Sequence, residues 1–309
     1  MNDVGHIPVL PKEVNALLQP KDGVVIVDLT AGRGGHALAL AEQAGSASTV
    51  VLFDLDETNL AFAKKRIESF GVHVEPVHAN FASAASVLSD LNLRADCVLA
   101  DLGFASNQMD NPERGLSFMG DGPLDMRLNP ASGITAADII QTTPENELAD
   151  LIYYLGEEPY SRRIAQKIVQ EREKEPILNT VRLAQIVRDA YGARARSSRM
   201  NPATRTFMAL RIAVNDELSA LDALLEDIET GCRKVGEGGW LNHGARVAVI
   251  SFHSLEDRRV KQAFVALEKS GLATRLTRKP TRASEEEIAL NTRSRPAKLR
   301  AVSLLQEDK

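Results

Sequence analysis

The first hundred residues alternate short β-branched runs with helical stretches, and this rhythm constrains the fold more than any other feature of the chain. Residues 24–29 follow an Asp22-Gly23 turn and read as a buried strand. Residues 37–44, rich in Ala and Leu, read as helix. Residues 50–53 form a second strand ending at Asp54, and residues 57–70 a helix stopped by Gly71. Residues 72–77 give a third strand, and residues 97–100 a fourth that ends at Asp101. Strands joined by helices imply right-handed crossovers and a parallel sheet covered on both faces.

The rhythm then lapses. Residues 111–135 are rich in Gly, Pro, Asn and Asp and contain no strand candidate. From Thr143 to about Tyr191 the patterns are helical, with Thr143-Pro144 read as an N-cap followed by proline. A long helix is expected to open at Asn201-Pro202. Its apolar stripe runs through Phe207, Leu210, Val214, Leu218, Leu221, Leu225 and Ile228. A strand returns at 246–251, a helix at 255–269, and two further strand candidates at 272–277 and 299–305. The expected organisation is an α/β domain at 1–110 and 216–309, interrupted by a helical insert at 111–215.

Composition excludes several classes. With 44% hydrophobic and 26% charged residues in 309, the chain has material for a sizeable core and is not disordered. No apolar run approaches the roughly 18 residues of a membrane span. The N-terminus has no basic segment followed by an apolar stretch, so no secretory signal is expected. Two cysteines, Cys97 and Cys232, are too few for a disulfide framework, and a cytoplasmic location follows as the expectation. The net charge of −5 is unevenly spread. Residues 1–110 hold 7 basic against 14 acidic side chains. Residues 193–215 hold five arginines (Arg194, Arg196, Arg199, Arg205, Arg211) and no acid. Residues 272–300 hold eight basic residues opposed only by Glu285-Glu286-Glu287. An acidic half suits a cationic cofactor and two basic segments suit a polyanion; solvated surface is the plainer alternative.

Residues 28–36 read DLTAGRGGH, between a strand and a helix. Glycines allow close backbone approach and a helix N-terminus offers unpaired N–H groups. In open parallel sheets ligands sit beyond the carboxyl ends of the strands. Asp54 and Asp101 both end strands there. A carboxylate at Asp54 can accept the two hydroxyls of a ribose, and Asn80-Phe81 can frame an adenine. No Lys-Ser/Thr follows the glycines, so a P-loop is not expected. The pattern points to an adenosine-containing ligand. It leaves a nicotinamide dinucleotide and S-adenosylmethionine both open, with the Gly34-Gly35-His36 loop leaning to the second.

Longer stretches narrow the field. They are DLGFASNQMD at 101–110, ERGLSFMGDGPLDMRLNP at 113–130, PATRTFMALRI at 202–212 with Asn215 and Glu217, SFHSLEDR at 251–258 and NTRSRPAKLR at 291–300. With His6-Ile7-Pro8-Val9-Leu10 and DLTAGRGGH, they resemble the bacterial RsmH (MraW) family from about residue 6 to residue 303. That family comprises S-adenosylmethionine-dependent 16S rRNA cytosine-N4 methyltransferases. The resemblance implies a Rossmann-like methyltransferase fold with an inserted helical substrate-recognition domain, and methylation of N4 on a cytidine in the decoding centre of the small subunit. Carried over residue by residue, it implies cofactor contacts at Gly34, Gly35, His36, Asp54, Phe81, Asp101 and Gln108. The chain departs from the family pattern at Asn107 (usually Pro), Asn201 (His), Met208 (Gln) and Pro296 (Ser), and also carries Ala105 in place of Ser.

The chemistry suggests roles. In-line methyl transfer depends on positioning. Asp101 is the candidate acceptor for an N–H of the exocyclic amine, against the plainer reading that it only holds the cofactor. Phe252 is a candidate to stack on the target base and His253 or Glu256 to fix its edge; the alternative is that Ser254 caps the next helix and His253 orders the loop. Arg199 and Arg205, at the start of the long helix, are candidate phosphate contacts. No metal is expected, since no second histidine lies at ligand spacing from His253. Trp240 reads as core. The expected partner is 16S rRNA within the small ribosomal subunit, with no membrane and no obligatory protein partner; a homodimer stays open. Rival classes are a nicotinamide-dependent oxidoreductase, a non-enzymatic assembly factor and a DNA cytosine-N4 methyltransferase. The last typically carries Pro-Pro-aromatic where Leu102-Gly103-Phe104 stands here.

Overall fold

The computed structural model describes residues 8–197 and 200–306. Among these a seven-stranded sheet forms from β1 Val25–Asp28, β2 Thr49–Asp54, β3 His73–His78, β4 Ala95–Asp101, β5 Leu241–Ser251, β6 Ala273–Arg275 and β7 Lys298–Leu304. Its order is β3-β2-β1-β4-β5-β7-β6. The first five strands pair in parallel, and β7 runs antiparallel to both β5 and β6. Pro76 lies in β3, an edge strand, where a missing N–H is tolerated.

The helices follow chain order. They are α1 Pro11–Leu18, α2 Gly35–Ala44, α3 Glu57–Glu68, α4 Ala84–Asp90, α5 Ser106–Asp110, α6 Ala136–Thr142, α7 Glu145–Gly156, α8 Ser161–Arg172, α9 Thr180–Tyr191, α10 Ala203–Asn215, α11 Glu217–Arg233, α12 Ser254–Lys269 and α13 Glu285–Leu290. Chain contacts divide the molecule into two compact units, residues 1–103 with 218–309, and residues 104–217.

In the sheet unit, side-chain alternation sends successive residues to opposite faces. Val27, Val51, Val98 and Val249 pack with Leu88 of α4, Leu221, Leu225 and Ile228 of α11, and Phe264 of α12. Ile26, Val50, Leu99 and Ile250 pack with Val14 of α1, Leu40 of α2 and Ala63 and Ile67 of α3. Burying each such aliphatic side chain stabilises by about 1.5–3 kcal/mol. Trp240 is core, its indole N–H donating to the Asp227 carbonyl at 3.0 Å.

The helical unit has its own core, including Ile139, Leu148, Ile152, Ile164, Ile168, Leu183, Val187 and Phe207. The Gly- and Pro-rich stretch before α6 is ordered by side chains. The Asn215 amide oxygen accepts from Leu128 N–H at 2.7 Å and its nitrogen donates to the Met126 carbonyl at 2.9 Å. Arg114 donates to the Leu128 carbonyl at 2.7 Å.

Two local expectations are corrected. The single helix expected from Asn201 to Ile228 is two, α10 and α11, broken at Asp216 in the left-handed region with φ 49°. Its stripe ran on because Phe207 and Leu210 face one core while Leu221, Leu225 and Ile228 face another. Thr143 is not the N-cap of the next helix. It ends α6, and Pro144 precedes α7 without a side-chain cap.

Candidate active site at the carboxyl ends of the strands

The chain runs from β1 outward to β2 and β3, then returns to β4 on the other side of β1. That reversal leaves a crevice beyond the carboxyl ends of β1 and β4. Asp28 is in register with Leu52 of β2 and Leu99 of β4, so Asp54 and Asp101 each stand two residues further along, on either side of β1.

The loop after β1 is tied to both neighbours. Gly32 N–H donates to Asp54 Oδ2 at 2.7 Å. Asp54 Oδ1 accepts from Asp56 N–H at 2.8 Å. On the other side, Asp101 N–H donates to Thr30 Oγ1 at 2.7 Å. Asp28, buried, accepts from Thr30 N–H at 3.1 Å. Thr30 therefore couples the glycine loop to the end of β4, a role the sequence reading did not assign.

Gly34 has φ 74°, a left-handed conformation that favours glycine. A Cβ there would stand 3.0 Å from the Ala63 Cβ, and one on Gly35 would stand 3.2 Å from Pro8 Cγ. These glycines thus let the loop pack against α3 and the N-terminal segment.

His36, in the first turn of α2, is buried and places Nε2 3.6 Å from Asp101 Oδ2. Neither His36 Nε2 nor Asp101 Oδ1 has a hydrogen-bond partner among the described residues. Burial opposes a charged imidazole, but Asp101 and Asp28 outweigh it and hold the His36 pKa above its usual value. Burial pushes the Asp28 carboxyl up to about 6, against the pull of His36. It lifts Asp54 to about 6 as well, although the N–H groups of Asp56 and Gly32 favour the ionised form.

Phe81 opens a single 3-10 turn after β3 and is half-buried against the core. Asn80 fixes that turn by accepting from Ala82 N–H at 2.9 Å. Phe252 follows β5, and a Cβ on Gly103 would lie 3.8 Å from its ring. It therefore shares the rim with Asp101, which pairs with Ile250.

His253 points inward. It is itself the N-cap residue of α12, and its Nδ1 accepts from Glu256 N–H at 3.4 Å. Ser254, expected as the cap, is instead the first helical residue. Glu256 Oε2 accepts from the N–H groups of Phe252 and His253 at 2.8 and 3.2 Å. Its Oε1 lies 3.1 Å from His253 Nε2, with both side chains under a tenth exposed. Glu256, unremarked as an organiser in the sequence reading, is what holds Phe252 at the rim; the three-residue spacing to a helix-opening His was its signal.

In the helical unit Gln108 is buried and its Oε1 accepts from Ala105 N–H at 2.9 Å, closing the start of α5. Arg205 lies half-exposed in the first turn of α10. Arg199 lies outside the described residues. Arg211 is committed within the protein. Its Nε and Nη2 donate to Glu217 at 2.7 and 2.8 Å, and its guanidinium stands 4.8 Å over the Phe104 ring.

The crevice suits an adenosine ligand with a cationic centre. Three carboxylates converge on it, and a buried acceptor and a buried imidazole nitrogen lack hydrogen bonds. The strand order differs from the dinucleotide-binding order 3-2-1-4-5-6 by one reversed strand inserted between β5 and β6. Fold and site define the class: a Rossmann-like methyltransferase with S-adenosylmethionine as its methyl donor.

The chain belongs to the MraW methylase family, whose model matches residues 3–305. It is 42% identical to "Ribosomal RNA small subunit methyltransferase H" of Citrifermentans bemidjiense, over 98% of this chain and 99% of that one. It is 48% identical to the protein of the same name from Prochlorococcus marinus strain MIT 9303, over 90% and 84%. Among solved structures, an rRNA methylase from Streptococcus thermophilus matches 98% of the chain and 100% of its own at 11% identity and a TM-score of 0.39. No helix of the described residues is long and apolar enough to cross a membrane.

Proposed function

We propose that this chain methylates N4 of a cytidine in the decoding centre, the P-site region, of 16S rRNA in the small ribosomal subunit. Two kinds of support converge. Relatives at 42% and 48% identity carry the name of a small-subunit rRNA methyltransferase. The observation that carries the chemistry is Asp101, at the end of β4, with one buried carboxylate oxygen unpartnered and the other beside His36.

S-adenosylmethionine supplies an electrophilic methyl group on a sulfonium. The acidic crevice of Asp28, Asp54 and Asp101 favours that charge. Asp54 binds ribose hydroxyls with the lone pairs left by Gly32 and Asp56, and the Phe81 turn frames the base; Gly34, Gly35 and His36 shape the remaining wall. The nucleophile is an exocyclic amine whose lone pair is delocalised into the ring. An acceptor on one N–H draws the nitrogen toward tetrahedral geometry and frees that pair for attack. Asp101 Oδ1 is that acceptor, and His36 stands beside Oδ2. The nitrogen's proton becomes acidic only after the methyl has transferred, so no strong base is required, and Asp101 or water takes it. Phe252 stacks on the target base, while His253 acts through the loop and not by touching RNA. Gln108 serves by fixing α5.

The helical unit grips the RNA backbone, with Arg205 at a helix N-terminus as one phosphate contact and Arg199 as a second. Splayed or single-stranded bases are the form in which RNA cytosines become reachable. The enzyme works in the cytoplasm, on the subunit, without an obligatory protein partner.

The test is transfer of isotope-labelled methyl from S-adenosylmethionine to small subunits purified from cells lacking this protein, followed by nucleoside mass spectrometry. Label in N4-methylated cytidine at one position is expected. Label on carbon 5, on ribose, or nowhere overturns the proposal.

A further inference from the structure

The second basic stretch of the chain, residues 272–300, lies wholly in the sheet unit. Its eight basic side chains differ in what they meet. Arg275 is held by Glu268 at 2.6 Å, and Asp257 takes both Lys298 at 3.4 Å and Arg300 at 2.7 Å. Arg293 is also engaged. Arg278, Lys279, Arg282 and Arg295 are exposed, and among the described residues no hydrogen bond or ion pair reaches their side chains. Arg278 adds only its field to Glu268, whose carboxylate Arg275 already occupies.

The fold sets these four cations on one open edge. β6 is the last strand of the sheet, and the chain after it stays beside β7. Thr277 Oγ1 accepts from Ala301 N–H at 3.0 Å, and Thr281 and Leu299 exchange both backbone bonds at 2.9 Å. Four residues thus advance from Thr277 to Thr281 while β7 advances two, from Ala301 to Leu299. The surplus is a bulge at Arg278-Lys279-Pro280 that carries two cations off the edge. The same register sets Arg282 across from Lys298, three residues beyond Arg295. A charged bulge with proline also keeps an edge from pairing with a second sheet, but that duty calls for neither Arg282 nor Arg295. The neighbouring acids are placed otherwise. Glu285, Glu286 and Glu287 stand in the first turn of α13, where the helix dipole favours them, and Glu287 accepts from Leu10 N–H at 2.7 Å.

We infer that this edge of the sheet unit is a second phosphate-binding surface for RNA, following the backbone of a base-paired segment through Arg278, Lys279, Arg282 and Arg295. Guanidinium groups match phosphate oxygens with paired N–H donors. Residues 272–300 contain no aromatic side chain, so the surface has no ring on which an unpaired base can stack. It therefore reads the backbone and not the sequence, and paired RNA presents its backbone in that way. A flat anionic membrane would also meet the exposed Glu285 and Glu286, whereas a single row of phosphates is narrow enough to follow the cations alone. The inference rests on the RNA reading above and adds to it a grip on the methyltransferase side that no contact at Arg205 requires.

The experiment measures fluorescence anisotropy of a labelled RNA hairpin against the full-length protein over a salt series. Three double variants are compared with the parent: Arg278→Gln with Lys279→Gln, Arg282→Gln with Arg295→Gln, and the charge-keeping Arg282→Lys with Arg295→Lys. Circular dichroism melting of each establishes folding. Each phosphate contact contributes roughly 0.7–0.9 to the salt slope, so each glutamine pair is expected to lower it by about 1.4–1.8. Over a fourfold rise in salt the parent then loses about tenfold more affinity than either glutamine pair. The lysine pair is expected to keep the parent's slope. With small subunits as substrate, the glutamine pairs are expected to raise KM and to leave the single-turnover rate at saturation unchanged. Folded glutamine pairs that keep the parent's slope overturn the surface. So does a loss seen only on phosphatidylserine vesicles, or aggregation with RNA affinity intact, which would make the charges guards of an open edge. A parent that methylates small subunits while both glutamine pairs bind RNA unchanged defeats this inference alone. A parent that binds RNA but transfers no methyl defeats the proposed function.

Discussion

His36 Nε2 stands 3.6 Å from Asp101 Oδ2, with the two side chains 7% and 19% exposed. The imidazole stands beside one carboxylate oxygen, and the other, Oδ1, has no hydrogen-bond partner among the described residues. Asp101→Asn keeps the shape and removes the charge. It is expected to lower kcat by about a hundredfold or more, the scale of a lost acid-base or acceptor group, while the donor's Kd moves only a few-fold. Single-turnover methyl transfer with calorimetric titration separates the two quantities. Parallel loss of donor affinity with kcat intact would show that Asp101 only holds the cofactor.

Asp28 and Asp54 make the ligand-free protein pH-sensitive in a definite direction. Both carboxyls sit at about 6 in the folded chain against about 3.9 unfolded. The folded state therefore holds their protons more tightly. Their contribution to stability is complete below pH 4 and is lost as pH rises through 6. The His36 shift acts in the same sense, its contribution being lost at a higher pH. Asp28→Asn, which retains an acceptor for Thr30 N–H, is expected to gain up to about 3 kcal/mol at neutral pH and to flatten the fall in Tm between pH 5 and 8. A variant with the parent's slope would refute the assignment. Donor affinity runs oppositely, rising as pH climbs through about 6 and the carboxylates ionise.

Gly34 is constrained twice, by its left-handed φ and by Ala63. Gly34→Ala is expected to destabilise by about 1–3 kcal/mol, read as a lower urea midpoint. Adding Ala63→Gly relieves the steric part and leaves the backbone part, so recovery should be partial. Full recovery would show that φ at this position is free to relax.

Much of the sheet and its acidic rim was legible because its signals are local. Strand ends at Asp54 and Asp101 follow from β-branched runs that stop at a carboxylate. The helix break at Asp216 was not legible, since an apolar stripe keeps its period when one residue between two helices turns left-handed. The inward turn of His253 depends on Glu256, a pairing visible as spacing yet ambiguous between a cap and a base contact. The five arginines looked alike in the sequence; Arg211 differs because Glu217, six residues on, accepts from its Nε and Nη2.

That difference gives a paired test. Arg205→Ala should weaken RNA binding and reduce its salt slope by about 0.7, with donor binding unchanged. Arg211→Ala removes a largely buried bidentate partner of Glu217 and should cost about 3–5 kcal/mol in stability, read by denaturant unfolding. Equal loss of donor and RNA affinity on replacing Arg205 would contradict its role.

A crystal structure with S-adenosylhomocysteine bound addresses the crevice itself. The expected density has its ribose on Asp54 and its sulfur side toward Asp101, beside the Gly34–His36 loop. Product density elsewhere, with the ends of β1, β2 and β4 bare, would contradict the account.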